Sequence, residues 1–230
     1  MLSIRKSEER GHANHGWLDA RHSFSFANYY DPQHMGFSDL RVINEDRVAP
    51  TMGFGTHPHK NMEILTYVLN GSIAHKDSMG NVKEFHAGEF QIMSAGSGVT
   101  HSEFNPSDSE VLHLLQIWIM PNELNIAPRY DQKRFADQHG GTLILSPNAD
   151  DGSFKVYQDM KLWRYQYATE QQQLIDLDVK RVYWLQMVKG KLTVNGQSLA
   201  QGDAIAVRQE QVLNVHTHSD AEFLLFDLRA

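Results

Sequence analysis

The stretch Ile64-Leu-Thr-Tyr-Val-Leu-Asn70-Gly71-Ser-Ile-Ala-His75 reads as a β-hairpin. β-Branched and aromatic residues suit a pleated, half-buried strand, and Asn-Gly supplies the left-handed residues of a two-residue turn. The pattern continues downstream. Asp77 to Asn81 marks a second turn, Val82 to Phe85 a further strand, and Gly88 leads into Phe90 to Met93. Ala95-Gly96-Ser97-Gly98 then turns the chain toward His101, and Leu112 to Met120 alternates like a core strand. Short, evenly spaced strands without a helical period predict an all-β sandwich or barrel.

Upstream, residues 1–21 predict a short strand or arm followed by a loop. His22 to Phe26 predicts a strand with Phe24 and Phe26 on one face. Leu40 to Ile43 predicts another, ended by turn-forming Asn44-Glu45-Asp46. Pro121 to Gly141 is irregular, with a short helix expected around Asp131 to Gln138, and a domain boundary is expected there. Beyond it, Met187-Val-Lys-Gly190-Lys-Leu-Thr-Val and Gln201-Gly202-Asp-Ala-Ile-Ala-Val parallel the arrangement around Gly71 and Gly88, and Asn195-Gly196 forms a second hairpin turn. Two related β domains are therefore expected, residues 1–130 and 131–230. The second lacks a His-x-His pair ahead of Gly190, where Arg181 to Leu185 would hold it, and is expected to carry no metal.

Composition narrows the chemistry. The 230 residues carry a net charge of −7 without a run of Lys or Arg, which disfavours direct nucleic-acid binding. No cysteine is present, so disulfides, thiolate ligands and a thiol nucleophile are all excluded, and ligands must be nitrogen or oxygen. The first 16 residues lack the apolar core of a signal peptide, and the most apolar run, Val111 to Met120, is too short to span a bilayer. A soluble, cytoplasmic protein without a membrane segment is expected.

Metal-competent side chains stand at strand spacing in two places: His57-x-His59 and His101-x-Glu103. On a strand, residues i and i+2 share a face, so neighbouring strands would aim three imidazoles and a carboxylate at one point. That set suits a divalent ion with positions left open for substrate. With 13 His in the chain, about one His-x-His pair is expected by chance, so the company of the first pair matters. Glu63 follows four residues after His59, Gly71 closes the strand, Gly88 opens the stretch leading to His101, and Asn105 lies four residues beyond His101. The second pair, His216 and His218, sits in a polar turn-like stretch and reads as surface. His12, His15, His22 and His75 are read as lacking a carboxylate at strand spacing; for His22 and His75 a hydrogen-bonded structural role is expected, with a place behind the ligands or at a pocket rim as the alternative. Phe24, Phe26, Phe37, Phe54 and Phe90 read as core, with one or two of them shaping an apolar site.

These motifs resemble the cupin superfamily, and most closely the pirin family of bicupins. His22-Ser-Phe-Ser-Phe-Ala-Asn-Tyr-Tyr-Asp-Pro32, Leu40-Arg-Val-Ile-Asn-Glu-Asp46, His57-Pro-His-Lys-Asn-Met-Glu63, His75-Lys-Asp-Ser-Met-Gly80 and Ser94-Ala-Gly-Ser-Gly-Val-Thr-His-Ser-Glu103 carry the resemblance, which extends through Gln116-Ile-Trp118 to Pro128-Arg-Tyr130. It implies two cupin-type jelly-roll barrels in tandem, with His57, His59, His101 and Glu103 as ligands of one metal. Fe(II) is the ion implied, and Zn, Mn, Co, Ni or Cu would also suit the donors. Glu63 stands where many cupins place a ligand; here it is expected behind the ligands or competing with them. Some pirins are similar to quercetin 2,3-dioxygenases, which implies a ring-opening dioxygenase taking a flavonol and O2, with Glu103, or Glu63 behind it, accepting the hydroxyl proton. Others look like transcriptional co-regulators, which implies instead a metal- or redox-sensing regulator with a protein partner. A Zn-dependent isomerase would need a polar sugar-binding set that the sequence does not display.

Overall fold

The computed structural model describes residues 1–230 and is almost entirely β. Its only helical turns are 3₁₀ turns at Ser7–Glu9 and Asp150–Gly152. No helix is long and apolar enough to cross a membrane. The chain divides into two compact units: residues 11–135 with 156–158, and residues 1–10 with 136–155 and 159–230. The expected division, 1–130 and 131–230, assigned the first strand by its place in the chain. In the structure β1 (Leu2–Arg5) pairs antiparallel with a strand near the other end, Leu2 opposite Val207 and Arg5 opposite Ala204, and so belongs to the second unit.

The first unit contains β2 (Gly11–Asn14), β3 (Leu18–His22), β4 (Leu40–Val48), β5 (Gly53–His59), β6 (Glu63–Asn70), β7 (Ser72–Asp77), β8 (Val82–His86), β9 (Glu89–Ser94), β10 (Val99–Phe104), β11 (Leu112–Ile119) and β12 (Arg129–Arg134). They form a seven-stranded sheet, β12-β9-β6-β11-β4-β3-β2, and a four-stranded sheet, β5-β10-β7-β8, the two sheets of a jelly roll. The chain turns at Asn70-Gly71, with Gly71 at φ +77°, but the expected hairpin does not form. β6 pairs with β9 and β11, β7 pairs with β8 and β10, and the turn carries the chain from one sheet to the other.

Three local expectations are corrected. The chain bends after His22 instead of running on as a strand to Phe26, which makes only an isolated bridge with Tyr29. Asp131 to Gln138 forms no helix; β12 covers Arg129–Arg134 because its backbone groups pair with β9. Asn44-Glu45-Asp46 is not a turn but the middle of the nine-residue strand β4. Turn propensity is overridden there because the barrel interior accepts polar side chains. In register across the sheet run His22, Asn44, Gln116, Thr66, Gln91 and Gln132. Asn44 Oδ1 accepts from His22 Nδ1 at 2.8 Å, and Thr66 donates to Gln116 at 2.9 Å. Glu45 points to the opposite face, where it meets His113 and Arg47.

The second unit, besides β1, contains β13 (Gly140–Ser146), β14 (Phe154–Lys155), β15 (Met160–Tyr167), β16 (Gln172–Asp176), β17 (Arg181–Lys189), β18 (Lys191–Val194), β19 (Gln197–Ala200), β20 (Ala204–Arg208), β21 (Val212–Thr217) and β22 (Ala221–Arg229). Its sheets, β1-β20-β17-β22-β15-β13-β14 and β16-β21-β18-β19, repeat the order of the first unit. By that order β16 corresponds to β5, so the counterpart of the first His pair lies in Gln172–Asp176 and not, as expected, at Arg181 to Leu185. The strand matching β10 is β21, and its inward positions are Leu213, Val215 and Thr217. The interior is accordingly an apolar core with Ile175, Leu192, Val194, Leu213 and Val215. The first barrel is polar inside where the second is oily.

Candidate metal centre

The centre is built by strand register. β10 lies between β5 and β7, with His101 directly opposite His57 on one side and Asp77 on the other, and Glu103 opposite His75. Because positions 101 and 103 share a face, as do 75 and 77, all these side chains turn inward together. Pairing of β10 with β5 slips between His101 and Glu103: His101 faces His57, but Glu103 faces Phe54. The extra residue is a bulge at Gly55-Thr56, which bends β5 and re-aims His57. The carbonyl of Gly55 then accepts from His57 Nδ1 at 2.8 Å, fixing the tautomer that leaves the Nε2 lone pair free.

One ring nitrogen each from His57, His59 and His101 lie within 4.8 Å of one another. His57 Nε2 and His101 Nε2 are 2.9 Å apart, close to the separation of about 3 Å expected for adjacent ligands at bond lengths near 2.1 Å. Burial lowers the pKa of His101 to about 3, with His57 and His59 adding repulsion, and lowers His59 to about 4 for the same reasons. Both imidazoles are therefore neutral near pH 7, the state that binds a metal. Nitrogen and oxygen donors with deprotonated lone pairs, and no sulfur, fit a divalent ion such as Fe, Ni, Co, Mn or Zn.

Glu103 is brought to the same place, but it groups within 4.8 Å with His101 and His75, not with His57 and His59. Its Oε2 accepts from Gln116 at 3.0 Å, while Oε1 is buried without a partner. Glu63 stands apart. It lies on β6, in the other sheet, where its carboxylate accepts from Ser94 Oγ at 2.9 Å and the Tyr157 amide at 3.3 Å, with Arg129 at 3.5 Å. All three partners converge on Oε2 and hold the carboxylate at that place, away from the imidazoles.

His75 has the carboxylate at strand spacing that the sequence reading denied it: Asp77 lies 3.1 Å from its Nε2, and both side chains are fully buried. The motif His75-x-Asp77 after the Asn-Gly turn was the available signal. His22 is buried against Asn44 and packs near Phe26 and Tyr29. His216 and His218 face away from the apolar interior of the second unit, His218 exposed beside Thr193. Phe24, Phe37 and Phe90 are core, whereas Phe26 packs edge-on against Trp118, whose ring lies 4.9 Å from that of His59. Trp118, inward from β11 two residues after Gln116, is an aromatic wall for the site. A cleft of ≈510 Å³ opens beside His59, lined also by Pro58, Lys60, Ser78, Val99 and Thr100.

A second carboxyl, Asp46, is buried in this interior. Desolvation, then repulsion from Glu103 and Glu45, raises its pKa to about 7. A carboxyl whose folded pKa is raised adds stability below its unfolded pKa of about 3.9 and loses it as pH rises through about 7. Asp46→Asn is therefore expected to leave the chelator-treated protein little changed near pH 4 and to stabilise it at pH 8 by on the order of 3 kcal/mol. Thermal unfolding at the two pH values measures this; equal shifts at both would contradict it.

Comparison with known proteins agrees with this architecture. The Pirin family model matches residues 3–119, and the model of the Quercetinase C-terminal cupin domain matches residues 143–228. The chain is 58% identical over 228 residues to the quercetin 2,3-dioxygenase of Escherichia coli strain K12, covering 99% of each. It is 57% identical over 232 residues to a putative quercetin 2,3-dioxygenase of Pasteurella multocida, covering 99% of this chain and 100% of that one. The crystal structure of the bacterial pirin YhhW of E. coli in complex with nickel(II) superposes with a TM-score of 0.97 at 57% identity, covering 100% of this chain and 99% of that one. With a nitrogen-rich polar barrel followed by an apolar one, and these matches along its length, the chain belongs to the pirin family.

Proposed function

We propose that this protein is a metal-dependent dioxygenase that opens the ring of a flavonol such as quercetin with O2. The observation that carries it is the convergence of three imidazoles and a partnerless buried carboxylate oxygen in one polar barrel. Likeness over the full length to an E. coli protein named quercetin 2,3-dioxygenase supports the substrate class. His57, His59, His101 and Glu103 are the proposed ligands and Fe(II) the proposed ion. The nickel(II) complex of the E. coli pirin supports a divalent ion in this family. The site is assigned to the first domain, with the second contributing no ligand.

When bound, the ion supplies a Lewis acid that lowers the pKa of an enolic hydroxyl. The chain's own residues do the rest. Trp118, with Phe26 behind it, offers an aromatic face beside His59 for a planar ligand. Gln116 donates to Glu103 Oε2 and so orients the carboxylate that is the proposed acceptor of the hydroxyl proton. Burial lifts the Glu103 carboxyl to about 7 in the metal-free site, and a bound cation would draw it back toward the ionised form.

The test is oxygen uptake by protein purified without added metal and assayed for metal content. One divalent ion per chain, with quercetin-dependent uptake that chelation removes and Fe(II) restores, is the expected result. A metal-loaded protein that consumes no oxygen with a flavonol would overturn the proposal and leave the metal-sensing regulator as the better reading.

A further inference from the structure

Three buried polar atoms around the centre have no partner: His101 Nδ1, His75 Nδ1 and Glu103 Oε1. They come one each from the three residues whose ligand atoms cluster within 4.8 Å, a group distinct from the imidazole triad. The opposite ends of the three side chains are all engaged. His101 Nε2 faces His57, His75 Nε2 faces Asp77, and Glu103 Oε2 faces Gln116. Buried polar atoms without partners are rare, and each such cluster calls for a physical explanation.

Tautomer accounting supplies one. Asp77 is itself held by Asn81 Nδ2 at 2.8 Å and by the Met79 and Asn81 amides. Those three donors leave its carboxylate ionised and fixed, so His75 Nε2 carries the proton and donates it to Asp77. The remaining His75 Nδ1 is then a buried lone pair without a partner, on a ring whose centroid lies 5.3 Å from that of His101. His101, if its Nε2 is given to a cation, must carry its proton on Nδ1. That N–H needs an acceptor, and the group offers two, His75 Nδ1 and Glu103 Oε1. Once Glu103 is drawn to the same cation, His75 is the acceptor left.

We propose that His75, oriented by Asp77, is a positioning residue of the metal centre: it accepts from His101 Nδ1–H and so fixes the tautomer and angle at which His101 presents Nε2. The inference rests on the metal reading given above. Outer partners of this kind raise the basicity of the ligand imidazole and hold its ring in place. His57 receives the same service from the Gly55 carbonyl.

The probe is Ni(II), measured by competition with a chelator on the full-length protein. His75→Phe keeps the ring's volume against Tyr130, 4.8 Å away, and removes both nitrogens. Asp77→Asn leaves His75 in place and removes its fixed acceptor. Each is expected to weaken Ni(II) binding 10- to 100-fold, and affinities within twofold of wild type for both would overturn the proposal. Should His75→Phe fail to fold, Asp77→Asn decides. A second measurement needs no variant. In the Zn(II)-loaded wild type labelled with 15N-histidine, long-range 1H–15N spectra should show the proton on Nε2 of His75 and on Nδ1 of His101. The opposite tautomer at His75 would overturn the proposal even if both variants bind weakly, because mere loss of packing does not choose a tautomer. Failure of the wild type itself to take up one Ni(II) or Zn(II) would instead sink the metal reading.

Discussion

His101→Ala is expected to abolish stoichiometric metal binding and, with it, flavonol-dependent oxygen uptake. His101 is 2% exposed and is the residue shared by both groups of ligand atoms at the centre. Its removal takes away one imidazole and separates Glu103 from His57 and His59, so the loss should exceed the 10- to 100-fold that an outer partner costs. The same substitution should behave differently in the metal-free protein. Burial, then repulsion from His57, His59 and His75, lowers the folded pKa of His101 to about 3. A group lowered in this way contributes stability above its unfolded pKa of about 6.5 and loses it as pH falls toward 3. The chelated wild type should therefore weaken between pH 6.5 and 4, and His101→Ala should flatten that limb. Metal analysis, oxygen uptake and acid titration of thermal unfolding separate a lost ligand from a damaged fold. Full turnover without bound metal would end the dioxygenase proposal.

The hairpin at Asn195-Gly196 was legible because turn chemistry is local: both residues are left-handed and the turn joins β18 to β19. At Asn70-Gly71, by contrast, only the glycine is left-handed and the same signal marks a crossing between sheets. The imidazoles were legible for a similar reason, since a period of two decides which side chains share a face. What lay beyond local pattern was misread. Pairing of Leu2 with Val207 joins residues 205 positions apart, and nothing near Leu2 announces it. Asn44-Glu45-Asp46 has turn composition, yet it is strand because His22, Gln116 and Glu103, distant in sequence, make the space inside polar. Glu63 is four residues from His59, but the chain changes sheet between them, so proximity in sequence became separation in space. His75 failed for a different reason. The carboxylate partner stood two residues away in plain view, taken as the start of a turn, and Asp77 serves both purposes at once: it ends β7 and caps the turn amides while holding the imidazole.

The distance between β5 and β10 is itself a determinant of the centre, which makes Gly53 a sensitive position outside the ligands. Gly53 pairs with Phe104, and a Cβ there would fall inside the contact distance of the Glu103 carbonyl oxygen and Phe104 Cα, both backbone atoms. Neither can rotate away, so Gly53→Ala must pry β5 off β10. The two strands carry His57 and His59 on one side and His101 and Glu103 on the other. Overpacking of this kind costs about 1–3 kcal/mol, and a displacement near 1 Å at a reacting centre costs on the order of 100-fold in rate. Gly55 is the control on the same strand. A Cβ added there meets nothing within 4 Å, and its carbonyl, which orients His57, is retained. Gly55→Ala should therefore keep metal affinity, turnover and Tm near wild type while Gly53→Ala loses all three. Equal behaviour of the two would mean that strand separation does not set the geometry of the imidazoles.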